Sequence, residues 1–294
     1  MKSISHVERK IIEQKLSRLV FNDVGYGDIT TQLIDNVFTK AEIVCKSGGI
    51  ICGVTEAHVL FDNFNVKCIP MVHDGDQVSQ NAMIMKLEGD LADILAVERT
   101  ALNIMMKMSS IASSTREFAD LAQNTNSKVR IAATRKTTPG FRFFEKRAVI
   151  KGGGDPHRWE LDDMVLIKDT HIASMEHNIG AILKRAKRST SFSKKIEIEV
   201  EKPEHALQAA QLGADIIMLD NMNPEMIKNT IAEIKEELIG SSQPIPLFEA
   251  SGNIDIKNIH EFLKTGVDII STSSITLNPH ILVDLSLKIN TGSI

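Results

Sequence analysis

An α/β barrel preceded by a smaller sheet domain is the fold this sequence predicts. Two patterns lead there. From about residue 130 onward, short apolar strands alternate with helical stretches, which argues for a parallel sheet with right-handed crossovers. Between residues 40 and 90 the chain instead reads as brief β-rich runs broken by glycine turns. One long amphipathic stretch joins the two regions.

Residues 1–35 look helical first and then turn-like at Gly25-Tyr26-Gly27-Asp28. The small sheet is expected from Ala41–Lys46, Ile50–Val54, Val66–Met71 and Met83–Leu87. Turns at Gly48-Gly49, Asp74-Gly75-Asp76 and Gly89-Asp90 separate them. A long helix follows from about Leu91 to Leu121. Ile94, Val97, Ala101, Ile104, Met108, Ile111 and Phe118 recur at three- and four-residue steps and form one apolar stripe. Arg99 lies off that stripe. The barrel strands are expected at Val129–Thr134, Met164–Lys168, Lys195–Val200, Ile216–Asp220, Ile245–Ala250 and Val267–Ser271. Helices are expected at Glu204–Leu212, Pro224–Leu238 and Lys257–Lys264. Six such strands in so short a span favour a barrel, and a doubly wound sheet is the alternative the pattern leaves open.

Composition narrows the function classes. The 294 residues are 43% hydrophobic and 24% charged, with a net charge of -4. That balance gives no reason to expect nucleic-acid or membrane binding. No apolar run approaches the ~20 residues of a membrane helix, and the polar start MKSISHVERKIIEQKL does not read as a signal peptide. Cys45, Cys52 and Cys68 have no CxxC spacing, so buried thiols in a reducing cytoplasm are expected.

The chemistry is expected at the strand ends. In order these carry Arg135 and Lys136, Lys168 and Asp169, Glu199 and Glu201, Asp220 and Asn221, Glu249 and Ser251, then Ser271 to Ser274. In a parallel α/β barrel this is the rim on which active sites are built. The strand Ile196–Glu201 alternates, with Ile196, Ile198 and Val200 on one face and Glu197, Glu199 and Glu201 on the other. Inside a barrel the carboxylates would point inward and need partners. Lys168, Lys136 or a metal-bound phosphate are the expected ones, and a solvated edge strand is the alternative.

Residues 134–158 hold seven basic residues against two acidic ones, in a chain that is acidic overall. A local basic site implies an anionic ligand, and arginine favours carboxylates or phosphates. Gly152-Gly153-Gly154 permits a tight turn before His157 and Arg158. The P-loop spacing is absent. His157 reads as a substrate contact. Glu199 and Asp220, on neighbouring strand ends, could hold Mg²⁺ directly or through water beside a phosphorylated substrate. Ser251-Gly252-Asn253, a small turn opening onto a helix, reads as a phosphate cradle.

Taken together, these motifs resemble the quinolinate phosphoribosyltransferase family nearly from end to end. The resemblance is carried by GDITT at 27–31, ERTALN at 98–103, ATRKTTPGFR at 133–142 and GGGDPHR at 152–158. It continues through DDMVLIKD at 162–169, EIEVE at 197–201, LDN at 219–221, EASGNI at 249–254 and TGVDIIS at 265–271. It implies an N-terminal α/β sandwich domain over residues 1–112, joined by 277–294, plus an open α/β barrel with parallel strands over 113–276. It further implies quinolinate and phosphoribosyl pyrophosphate as substrates, Mg²⁺ as cofactor, and a homodimer with shared active sites.

By that resemblance Lys136, Lys168, Glu199 and Asp220 are the catalytic groups. Arg99 is lent across the dimer interface. Arg135, Lys136, His157, Arg158 and Lys168 surround the acceptor carboxylates and phosphates. Thr134, Ser251, Gly252, Asn253, Thr272, Ser273 and Ser274 contact phosphate. Three positions depart from the family pattern: Pro156 stands where Asn is common, Thr272-Ser273-Ser274 where a Val-Gly-Ala-like turn is common, and Ser109-Ser110 where Ser-Gly is common. These leave two other readings open, a relative acting on another acceptor, as in the molybdenum-uptake-associated branch, and a non-catalytic nucleotide-binding paralogue.

Overall fold

The computed structural model describes residues 4–33, 35, 37–125 and 128–289. The chain forms two compact units: residues 1–116 with 150–152 and 279–294, and residues 117–149 with 153–278.

The first unit begins with α1 (His6–Val24), whose amino end is capped by the Ser5 hydroxyl accepting from Glu8 N. It continues through β1 (Phe38–Cys45), β2 (Gly49–Ile50), α2 (Val54–Asp62), β3 (Lys67–Pro70), β4 (Gln77–Val78), β5 (Met83–Asp90) and α3 (Leu91–Asn124). Every stripe residue of α3 from Ile94 to Phe118 is buried, and Arg99 is exposed as its off-stripe position predicts.

The run Ile50–Val54 corrects the sequence reading, because only Gly49 and Ile50 are strand and Val54 opens a helix. The reason is where its amides go. Ser113 and Ser109, one turn apart on α3, accept from Ile50 N and Cys52 N at 2.8 and 2.9 Å. Asp74 accepts from Val54 N at 2.8 Å and so caps α2. Amides satisfied by side chains need no neighbouring strand. Ser110 serves a second irregular segment of the same unit, accepting from Val283 N at 3.0 Å. The departure at Ser110 therefore has a structural use. Cys45 and Cys52 are buried as expected, whereas Cys68 is only partly so; all three thiols are free.

The second unit contains β6 (Arg130–Ala133), α4 (Arg142–Gly152), β7 (Val165–Ile167), α5 (Asp169–Ala173), α6 (Ile179–Ser189), β8 (Ile196–Val200) and α7 (Pro203–Gln211). After these come β9 (Ile216–Asp220), α8 (Pro224–Glu237), β10 (Leu247–Ser251), α9 (Ile259–Phe262), β11 (Ile269–Thr272) and α10 (Ser274–Leu277). The predicted helix over Lys257–Lys264 is thus shorter than expected. Finally β12 (Leu285–Ile289) returns to the first unit, whose antiparallel sheet runs β12-β1-β5-β3 with α1 and α2 packed together.

All six predicted barrel strands are present, in the order β6-β11-β10-β9-β8-β7, and every neighbouring pair is parallel. Among the described residues β6 and β7 end the ladder without pairing to each other, so the barrel is open. Ile198, Ile217, Leu219, Phe248 and Ile270 are fully buried and form its wall. The strand β8 lies between β7 and β9, which excludes the solvated-edge reading of its carboxylates. The outward isoleucines fix its register, and Glu197 and Glu199 therefore face inward. Glu201 lies past the strand end and is exposed, contrary to the expectation of three inward carboxylates.

Candidate active site

One cavity of about 290 Å³ is lined from every strand end of the barrel. It takes Thr134, Arg135 and Lys136 after β6, Leu166 and Lys168 at β7, and Glu199 on β8. It also takes Met218 and Asp220 on β9, Glu249 and Ser251 on β10, and Ser271 on β11. His157 and Arg158 join them from the loop that follows α4. A sheet whose two unpaired edges share one cavity has curled around it.

The loop carrying His157 and Arg158 is tied to β6. Asp155 N donates to Ile131 O at 2.8 Å, and Ala133 N donates to Asp155 O at 3.0 Å. Lys146, fully buried, adds a third link by donating to Ala133 O at 3.1 Å and to Pro156 O. Burial, and next the Arg142 charge, push the Lys146 ammonium down to about 8. The strand that leads into Arg135 and Lys136 is thereby held against the loop that presents His157 and Arg158. Lys146 was visible in the sequence only as one more positive charge.

Glu199 and Asp220 line the same cavity. Lys168 Nζ is 3.3 Å from Glu199 Oε2, and that lysine is about half exposed. Burial raises the Glu199 carboxyl above its ordinary value, with Lys168 opposing. Burial likewise raises Asp220, opposed by Lys136 and Lys168. Asn221 Nδ2 donates to Asp220 Oδ2 at 2.7 Å and so orients it.

Below Glu199 on the same strand, Glu197 is fully buried, as is Glu249 on β10. Neither meets Lys168 or Lys136, the partners the sequence suggested. Instead His157 Nε2 lies 3.5 Å from Glu197 Oε2 and 3.2 Å from Glu249 Oε2. Burial alone would lower the imidazolium, but the two carboxylates carry it up to about 10. The sequence placed Glu249 among the polar strand ends and Glu197 on the inward face of its strand, but gave neither a role in the site. The alternation of β8 had turned Glu197 inward, but its partner comes from a loop distant in sequence.

A second pocket of about 360 Å³ adjoins the cavity and shares Thr134, Lys136, Ser251 and Ser271 with it. Gly252 to Asp255, Thr272 to Ser274 and Asn278 line the rest of the wall. Gly252 has φ +94°, and a Cβ there would meet Asn221 Oδ1 and lie 2.8 Å from Asn221 N. Only glycine lets these two loops approach so closely. Thr272 Oγ1 donates to Ile254 O at 2.6 Å, and Ser274 N donates to Thr272 Oγ1 at 3.1 Å. The departure at 272–274 thus replaces small residues by a hydroxyl-lined turn. Of the remaining expected site residue, Arg99, the structure gives only its exposed position on α3, 3.8 Å from Glu98.

Family models match both parts of the chain: quinolinate phosphoribosyl transferase N-terminal domain over residues 28–109 and C-terminal domain over 111–288. A probable carboxylating nicotinate-nucleotide pyrophosphorylase from Methanothermobacter thermautotrophicus is 46% identical, covering 93% of this chain and 97% of its own. The carboxylating nicotinate-nucleotide pyrophosphorylase of Homo sapiens is 31% identical, covering 85% of this chain and 82% of its own. Among solved structures, the nicotinate-nucleotide pyrophosphorylase from Francisella tularensis superposes with a TM-score of 0.87 at 33% identity, covering 98% of each chain.

Proposed function

The chain belongs to the quinolinate phosphoribosyltransferase family, and from that premise we propose how the barrel rim performs the family's reaction. Quinolinate and phosphoribosyl pyrophosphate are joined, and nicotinate mononucleotide, pyrophosphate and CO₂ are released. The observation that carries the assignment of roles is one cavity lined by both basic and acidic side chains.

Arg135, His157, Arg158 and Lys168 hold the two carboxylates of the acceptor. Two arginines match flat carboxylates with paired hydrogen bonds. Lys136, with Thr134, Ser251 to Asn253 and Thr272 to Ser274, takes the ribose 5-phosphate in the adjoining pocket. Glu199 and Asp220 face the ribose. The pyridine nitrogen attacks the anomeric carbon, and the bond to pyrophosphate oxygen breaks with its electron pair leaving on pyrophosphate. The sugar carries positive charge as this happens, and two fixed carboxylates stabilise it. The bond to the 2-carboxylate then breaks, leaving its electron pair on the ring carbon beside the cationic nitrogen, where a proton is taken up. Holding both polyanions in register supplies much of the rate.

Glu199 and Asp220 offer hard oxygen donors to one cavity, and burial has already raised both, so they fit Mg²⁺ directly or through water. When bound, Mg²⁺ supplies charge neutralisation on the pyrophosphate. Arg99, exposed on α3, completes the acceptor site of a second copy in a homodimer. Free thiols fit a reducing cytoplasm, and no described helix is long and apolar enough to cross a membrane.

The test supplies phosphoribosyl pyrophosphate and Mg²⁺ with either quinolinate or nicotinate. One CO₂ per mononucleotide from quinolinate is expected, and turnover of nicotinate in its place would overturn the reading. Arg99→Ala and Lys168→Ala chains, each inactive alone, should regain activity on mixing. No recovery would remove Arg99 from the neighbour's site.

A further inference from the structure

The floor of the cavity holds charges that the transfer step does not itself require. Glu197 and Glu249 are fully buried, and none of their four oxygens reaches hydrogen-bond geometry with any group. Their facing charge is His157, at 3.5 and 3.2 Å. Burying one carboxylate costs several kcal/mol, roughly, after relaxation. One would suffice to fix the orientation of an imidazole. Two carboxylates on one ring act on its charge as well.

The backbone gives an independent sign. His157 has φ +51°, in the left-handed region, without being glycine or asparagine. Glu176 and His177 share this conformation, so what counts at His157 is the set of contacts that holds the turn. Here Asp155 Oδ1 accepts from His157 N at 2.7 Å, and Lys146 grips the carbonyl of Pro156. The ring is therefore placed from both its backbone and its Nε2 side. Nε2 itself is buried, which leaves Nδ1 as the nitrogen available to a ligand.

Glu197 from β8 and Glu249 from β10 face the ring of His157, and Arg135, Lys136, Arg158, Lys168, Glu199 and Asp220 line the same cavity. Burial would drive the proton off an isolated imidazole, and the two carboxylates reverse that.

We propose that Glu197 and Glu249 are positioning residues for the acceptor, holding His157 as an imidazolium whose Nδ1 binds a carboxylate of the aromatic dicarboxylate. This rests on the acceptor reading given above and adds how the site keeps its histidine charged.

Glu249→Gln keeps size and removes the charge. Steady-state kinetics with quinolinate and phosphoribosyl pyrophosphate varied separately, from pH 6 to 9, test it. At the alkaline end the quinolinate KM should rise on the order of tenfold, the loss of one charge-assisted contact. The phosphoribosyl pyrophosphate KM and the thermal midpoint should stay near wild type. The variant's rise should track ordinary imidazole deprotonation, a limb the wild type lacks, and Glu249→Asp should restore part of the affinity. If kcat, both KM values and the midpoint move together at every pH, the glutamate is structural and the proposal fails. Chelator-sensitive quinolinate binding that persists in Glu199→Gln and is lost in Glu249→Gln would overturn it too, because the three floor side chains would then hold a metal. A wild-type imidazole that titrates near its ordinary value by NMR contradicts the proposal whether or not the variants fold. Wild-type protein that does not turn over quinolinate sinks the acceptor reading instead, which keeps the two failures apart.

Discussion

Glu197 and Glu199 stand two residues apart on one face of β8, yet their surroundings differ as floor differs from rim. Glu199 is partly open and meets a half-exposed lysine. Glu197 is sealed and faces an imidazole that a second sealed carboxylate also faces. At the rim, water and an arriving substrate can rearrange the balance of charge. At the floor the partner must be permanent, because an unpaired buried charge costs far more than an unpaired exposed one. Depth along a single strand thus separates groups free to act during a reaction from groups that hold a scaffold in a charged state.

Substitutions can break that comparison. His157→Leu strands two carboxylates at the floor and should lower unfolding stability by about 3–5 kcal/mol, read by urea denaturation. A loss below ~1 kcal/mol would mean that the floor is wet and that the comparison fails. Lys168→Met removes the corresponding cation at the rim. It should cost roughly 10²–10³ in kcat while stability changes by no more than ~1 kcal/mol, as for other exposed pairs.

Gly252→Ala sharpens the contrast from the phosphate side. Its Cβ meets Asn221 in a left-handed turn, a strain of about 1–3 kcal/mol. The phosphoribosyl pyrophosphate KM should rise while the quinolinate KM holds; a rise in both would show that the pockets do not act separately. A further expected effect is one of pH. The folded imidazolium of His157 is raised from 6.5 to about 10. Its contribution to stability is therefore complete below 6.5 and lost as pH rises through 10. Wild-type stability should fall across that window more steeply than that of His157→Leu, and equal slopes would count against a charged ring.

Much of the fold was legible because periodicity records burial. The α3 stripe and the six barrel strands appear within a few residues of their expected places. The rim was legible because polar residues at strand ends are readable one strand at a time. What stayed hidden depends on pairs distant in sequence. Ile50–Val54 looks like a strand until Ser109 and Ser113 are seen to take its amides. Glu197 was readable as inward, but its partnership with His157 and Glu249 needs the strand order β8-β9-β10 and the return of the loop after α4. Lys146 gave no sign that it would link that loop to β6.

The most direct test sets the two glutamates of β8 side by side. Glu197→Gln and Glu199→Gln are each assayed for kcat and for the KM of both substrates. The account predicts that Glu197→Gln raises the quinolinate KM and leaves kcat near wild type. Glu199→Gln should lower kcat and leave the quinolinate KM near wild type. The same pattern from both variants would contradict the division of the cavity into a binding floor and a reacting rim.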